Sequence, residues 1–270
     1  MTYFSAPTSE LSSPLRRKAM LSALGALAFG AALPAARAQE AQKIEAIRKK
    51  IGGRPVTAEG VKLDLPLVAE DGSSVPLSIE SGLAGRGGRI RSLDVYATRN
   101  PTPEVASYEF SEDAGLVKLA TRIRLSESQP VVVVATTEDG RVIVAERAVR
   151  VTASGCIAPA GRGERSAEMQ SRVRLPKGWK PGAPGEFLTM INHPMDTGLA
   201  TDANGDTPPL RIIDAFEATL GGRVLLRAKY YRSLAANPYL RFTVSPPQGG
   251  DMRFAWTEDT GRSVEFKATL

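Results

Sequence analysis

From Val61 onward the chain runs with a hydrophobic period of two. Val61, Leu63, Leu65 and Leu67 alternate with polar residues or Pro66, and Val75, Leu77 and Ile79 repeat the pattern after the turn Glu70-Asp71-Gly72-Ser73. Alternation of this kind suits a strand with one buried face and leaves a helix with no coherent apolar stripe. Further strands are expected at 90–97, 105–110, 116–125, 131–137 and 142–152, parted by Gly85-Arg86-Gly87-Gly88, Asn100-Pro101-Thr102-Pro103, Asp113-Ala114-Gly115, Ser128-Gln129-Pro130 and Glu138-Asp139-Gly140. Short strands at this spacing predict a sandwich of the immunoglobulin type, here without its usual disulfide because the chain holds one Cys. The unbroken run Val131 to Val134 predicts a central strand.

Periodicity stops over 154–168, where Gly, Ala, Pro and Arg predominate as in an exposed linker. It restarts at 171–175, 186–191, 211–219, 223–231, 240–244, 252–256 and 262–269, with Gly221-Gly222 and Asp259-Thr260-Gly261 as tight turns. The expectation is an all-β chain with two immunoglobulin-like β-sandwich domains, 39–155 and 169–270, joined by a flexible linker over 156–168 that bears the lone cysteine. A short helix over 40–50 precedes the first sandwich, with Ala41, Ile44 and Ile47 on one face and Gly52-Gly53 as its stop.

Residues 1–38 read as a signal peptide. Arg16-Arg17-Lys18 leads an uncharged stretch from Ala19 to Leu33, and Ala36-Arg37-Ala38 supplies small residues for cleavage. That stretch is shorter than the ~20 residues a membrane span needs. The Arg pair suggests the twin-arginine route, with general secretion as the alternative, and either route implies a periplasmic protein. The leader carries Arg16, Arg17, Lys18 and Arg37 against Glu10, so its loss lowers the formal net charge of +6 by three. The remainder is too weak, and too scattered, to argue for nucleic acid.

Few residues can carry chemistry. One His and one Cys exclude a dense His/Cys metal site, and there is no P-loop, dinucleotide fingerprint or G-x-S-x-G. No metal and no cofactor is expected. Asp202-Ala203-Asn204-Gly205-Asp206 lacks the terminal bidentate Glu of a calcium loop and reads as a turn. Cys156 is an unpaired thiol in an exported chain, set beside Gly155 at the start of the linker rather than inside an apolar strand run. Arg150 and Arg162 lie near it in sequence and favour the thiolate. A functional thiol and an incidental one both fit. His193 could serve as the base of a thiol hydrolase, but nothing in the spacing brings it to Cys156. Its other reading is a loop-holding residue.

The motifs resemble the Sox sulfur-oxidation carrier, with a SoxY-like half and a SoxZ-like half fused. The first half carries Val61-Lys62-Leu63-Asp64-Leu65-Pro66, Ala69-Glu70-Asp71-Gly72, Arg99-Asn100-Pro101-Thr102-Pro103-Glu104-Val105-Ala106, Thr121-Arg122-Ile123-Arg124-Leu125 and Val149-Arg150-Val151-Thr152 before Gly155-Cys156. The second carries His193-Pro194-Met195-Asp196-Thr197-Gly198-Leu199, Ala236-Asn237-Pro238-Tyr239-Leu240-Arg241-Phe242 and Trp256-Thr257-Glu258-Asp259-Thr260-Gly261. The resemblance implies a non-enzymatic carrier whose Cys156 covalently holds a sulfur intermediate, with Ser154, Gly155 and Ile157 forming the arm around it. It implies halves packed on each other, and periplasmic sulfur-oxidation enzymes as partners. Fused carriers of this kind are also associated with quinoprotein dehydrogenases, so an accessory role beside such an enzyme is the alternative. The family's arm is a chain terminus of Gly and Cys, whereas here it is internal and reads Ser154-Gly155-Cys156-Ile157-Ala158.

Overall fold

A computed structural model describes residues 44–82, 88–154, 169–201 and 205–270. Residues 1–43, 83–87, 155–168 and 202–204 lie outside the described residues, and with them the leader, the first part of the helix expected over 40–50 and most of the turn expected at 85–88. Helix α1 spans Glu45–Ile51. The strands are β1 Val56–Thr57, β2 Val61–Asp64, β3 Val68–Ala69, β4 Val75–Ser81, β5 Ile90–Ala97, β6 Glu104–Phe110, β7 Lys118–Ile123, β8 Gln129–Thr137 and β9 Val142–Val151. In the second half they are β10 Ser171–Arg174, β11 Gly185–Ile191, β12 Ile213–Leu220, β13 Arg223–Tyr230, β14 Tyr239–Val244, β15 Asp251–Glu258 and β16 Ser263–Thr269.

Two stacked sheets run through both halves. One follows the order β1-β9-β8-β5-β6-β13-β12-β15-β16, with β3 also on β9, and the other follows β10-β11-β14-β7-β4-β2. The halves join edge to edge in each sheet. β6 pairs with β13 from Phe110↔Leu226 to Ala106↔Tyr230, and β7 pairs with β14 from Leu119↔Phe242 to Thr121↔Leu240. The all-β reading holds. The halves pack on each other, as the resemblance implies, and the two sheets are continuous across them: one apolar cluster runs from Leu63 through Tyr108 and Tyr230 to Trp256. Open edges explain this. Each of these four strands would otherwise present a row of unpaired N–H and C=O groups, and mutual pairing satisfies them.

Strand alternation decides which side chains enter the core. Val75, Leu77 and Ile79 of β4 are buried while Pro76 and Glu80 are exposed. The expected strand over 61–68 breaks at Pro66, so Leu67, read as inward from its spacing, is 72% exposed. A proline supplies no ladder N–H, and the chain resumes as the two-residue β3 in parallel on β9. The Val131–Val134 run is buried on both faces for a different reason on each. Val131 and Val133 enter the main core, and Val132 and Val134 pack under α1 with Ile47, Ile51, Tyr96, Val142 and Val144.

Helix α1 is short because of its ends. Gly52 takes the left-handed conformation (φ 62°), and its N–H closes on the Arg48 carbonyl. Burial of Ile47 and Ile51, at about 2 kcal/mol each, holds the helix on the sheet. Lys50 adds a latch: its ammonium lies 2.8 Å from the carboxylate of Asp94, which is 4% exposed on β5 and also accepts from Ser107 at 2.6 Å.

Candidate functional site

The sequence points to the segment after β9. Gly155, Cys156 and Ile157 lie outside the described residues, so the structure bears on the root from which they leave. Ser154 is the last described residue before them and is half-buried. Residues 150–153 are held against 67–72 over their whole length. Arg150 N–H donates to Leu67 O (2.9 Å) and Thr152 N–H to Ala69 O (3.0 Å), and Gly72 N–H donates to Ala153 O (2.8 Å). The Thr152 hydroxyl reaches Glu70 O at 3.0 Å, and Val151 N–H donates to the Ser128 hydroxyl at 2.9 Å. The root is therefore fixed up to Ala153. Covalent geometry holds the Cα of Cys156 within ~7 Å of that of Ser154.

The same end of the sandwich carries a buried polar network that crosses between the halves. Asn100 sits at its centre, 6% exposed. Its amide nitrogen donates to Arg124 O (2.8 Å) and to the Ser233 hydroxyl (2.9 Å). Its oxygen accepts from Ser126 N–H (2.9 Å) and from Gln129 Nε2 (2.8 Å). Ser233 in turn donates to Thr102 O at 2.8 Å, and Arg124 N–H to Ser233 O at 2.7 Å. The Arg124 guanidinium, 6% exposed, reaches into the other half and donates to Met195 O (2.6 Å) and Pro194 O (3.1 Å). A buried guanidinium is tolerated where its donors meet carbonyls in this way.

His193 supports that grip from the second half. It is 2% exposed, and both ring nitrogens are engaged. Nδ1 accepts from Met195 N–H at 3.0 Å, which places the proton on Nε2, and Nε2–H donates to Glu258 Oε1 at 2.9 Å. The hydroxyl of Thr260 donates to the other Glu258 oxygen. His193 and Asn237 also exchange bonds: Asn237 N–H donates to His193 O at 2.8 Å, and His193 N–H to Asn237 Oδ1 at 3.0 Å. Met195 and Asn237 both adopt positive φ, 53° and 52°. For Met195 that costs roughly 1–2 kcal/mol, offset where its carbonyl meets Arg124 and its sulfur accepts Ile213 N–H at 3.2 Å. Burial pushes the His193 imidazole below its usual range against the pull of Glu258. Burial raises the Glu258 carboxyl, but the bonds from Thr260 and His193 outweigh it and hold the group low.

The arrangement decides between the two readings of His193. A general base needs a free ring nitrogen facing the nucleophile. His193 has none, and it acts as the loop-holding residue. Among the described residues, no three His, Cys, Asp or Glu side chains are placed to hold a metal ion. The motifs Arg99–Ala106, Thr121–Leu125, His193–Leu199 and Ala236–Phe242 converge on this seam. Individual seam roles for Arg124, Asn100, Gln129 and Ser233 were not foreseen. Spacing gives no signal for Arg124, which follows the outward Arg122 by two residues and is buried only beyond the end of β7.

Comparison with known proteins follows the same division. A family model described as sulfur oxidation protein SoxY matches residues 47–156, and one described as sulphur oxidation protein SoxZ matches residues 173–269. The chain carries a SoxY domain and a SoxZ domain in tandem. The seam is thus the SoxY–SoxZ contact within one polypeptide, and the SoxY match ends on Cys156. The two domains indicate a sulfur-oxidation carrier role. Among solved structures, the sulfur carrier protein SoxY from Chlorobium limicola f thiosulfatophilum is 22% identical, covering 44% of this chain and 99% of that one at a TM-score of 0.36. A superoxide reductase (neelaredoxin) from Ignicoccus hospitalis is 15% identical, covering 40% of this chain and 88% of that one at a TM-score of 0.31. No curated protein matches the sequence.

Proposed function

We propose that the protein is an exported, non-catalytic carrier that holds a sulfur-containing intermediate covalently on the Cys156 thiol. It works in the periplasm and presents that intermediate to partner enzymes of the thiosulfate-oxidation type. One observation carries the reading: the SoxY-family match runs to Cys156, immediately beyond a root clamped at the end of the fused sandwich. The clamp suits the task. It fixes the point from which the thiol is offered, while Ser154, Gly155 and Ile157 form the arm around it. The leader, with Arg16-Arg17 before its apolar stretch, supports export of the folded chain.

The test is peptide mass spectrometry on protein taken from its native host without reductant. Trypsin releases Val151 to Arg162, which holds the chain's one cysteine. A sulfane, sulfonate or thiosulfonate adduct on that peptide is the expected result, and Cys156→Ser abolishes support of the linked oxidation in cells. A thiol that stays free after exposure to thiosulfate and the partner proteins overturns the reading. It would point instead to a non-covalent accessory of a quinoprotein dehydrogenase.

A further inference from the structure

The outer face of the six-stranded sheet has no covering element among the described residues, and its side chains follow from the register. One row across it reads Arg174, Leu188, Arg241, Ala120 and Ser78. The next, nearer the end that carries Ala153, reads Arg172, Met190 and Tyr239, then Arg122 and Pro76, with the Arg122 guanidinium 5.4 Å from the centre of the Tyr239 ring. Arg172, Arg174, Arg122 and Pro76 are exposed, and Leu188, Met190, Tyr239 and Arg241 are half-buried. The patch is therefore four arginines interleaved with an aromatic and two long apolar side chains. It straddles the seam, since β7 belongs to the SoxY half and β10, β11 and β14 to the SoxZ half.

Its charge is mainly positive, with Asp64 at the β2 end of the Ser78 row and Glu80 and Glu186 as the other carboxylates of the face. Among the described residues, Arg122, Arg172 and Arg174 have no carboxylate at ion-pair distance, and Arg241 has Glu186 at 3.9 Å. The outer face of the other sheet contrasts with it: there Glu265, Arg253, Glu217 and Arg227 neutralise one another in a ladder with contacts of 2.6 to 3.4 Å. Arginine, tyrosine and methionine are the residues enriched at the centres of protein interfaces, where arginine stacks and pairs at little entropic cost.

We propose that this face is the docking surface for a partner protein that presents an acidic patch, and that this partner acts on Cys156. Unpaired arginines steer an acidic surface onto the sheet, and the Tyr239 and Met190 row supplies the apolar contact. The face ends on the same side of the sandwich as the Cys156 root, so one partner could hold the sheet and reach the thiol.

The inference rests on the carrier reading for what the partner does. Its test reads binding alone and leaves Cys156 out, so a failure of either is seen separately. The probe is a fluorescein-labelled 12-residue peptide alternating Glu and Tyr, titrated into the full chain at 50 mM salt. Amide shifts confined to β7, β10, β11 and β14 are expected, with at least tenfold weaker binding in R122E/R172E/R174E. Shifts centred on another face, or unchanged affinity in a variant with a native urea midpoint, overturn the proposal. Shift mapping on the unsubstituted chain decides the matter even if that variant misfolds. Phosphatidylglycerol vesicles and a dT12 strand serve as competing probes. If either binds this face tenfold more tightly than the peptide, the assignment of an acidic protein is wrong.

Discussion

Replacing Arg124 with methionine keeps the length and apolar stem of the side chain and removes its charged head. Two buried carbonyls, Met195 O and Pro194 O, then lose donors at 2.6 and 3.1 Å. Each unmet buried acceptor costs about 1–3 kcal/mol, and charge-assisted bonds lie toward the upper part of that range. Relief from burying the guanidinium returns part of this, so the expected net loss is about 3 kcal/mol. That is a large share of the ~5–15 kcal/mol available to an ordinary fold. The assay is urea unfolding followed both by far-ultraviolet circular dichroism and by tryptophan fluorescence. Trp179 and Trp256 both lie in the SoxZ half, so fluorescence reports that half while dichroism reports both. The shared sheets predict coincident transitions in the unsubstituted protein and a lowered midpoint by both probes in the variant. Arg122→Met, two residues along on the exposed face, should stay within about 0.5 kcal/mol. A loss below 1 kcal/mol at Arg124, or one no larger than at Arg122, would refute the view that this guanidinium locks the halves.

Three further outcomes follow from the same geometry. Burial holds His193 below its usual value of 6.5, so below about pH 6.5 the unfolded chain binds a proton that the folded chain resists. Stability should therefore fall with acid through that region, and H193Q, whose amide can still donate to Glu258, should flatten the slope seen in urea midpoints between pH 7.5 and 5.5. Glu258, held below its usual 4.5, adds stability that is present above that pH and is lost as pH falls further. Ile47→Ala should cost about 2–4 kcal/mol by opening a cavity under α1. Because Lys50 would then leave Asp94, hydrogen exchange should rise in α1 and over Tyr96 and Val132, while amides in β14 and β15 stay protected.

The period-two pattern determined most of the strands, because a half-buried strand imposes its alternation locally and needs no knowledge of its neighbours. Gly52 determined the end of α1 in the same way, through a conformation that few other residues adopt without strain. The cysteine in a segment without periodicity was also legible, as was the family that its flanking motifs resemble. Tertiary structure alone decided that β6 meets β13 and β7 meets β14, since any open edge offers the same row of backbone donors and acceptors whatever its side chains. It decided that Leu67 faces outward, because Pro66 ends one ladder before the next begins. It also decided the roles of Arg124 and His193. A buried charge is stable only where distant carbonyls meet it, and an imidazole is a base or a brace according to which groups occupy its two nitrogens. Those partners lie 70 residues away for Arg124 and 65 for His193, beyond the reach of any local pattern.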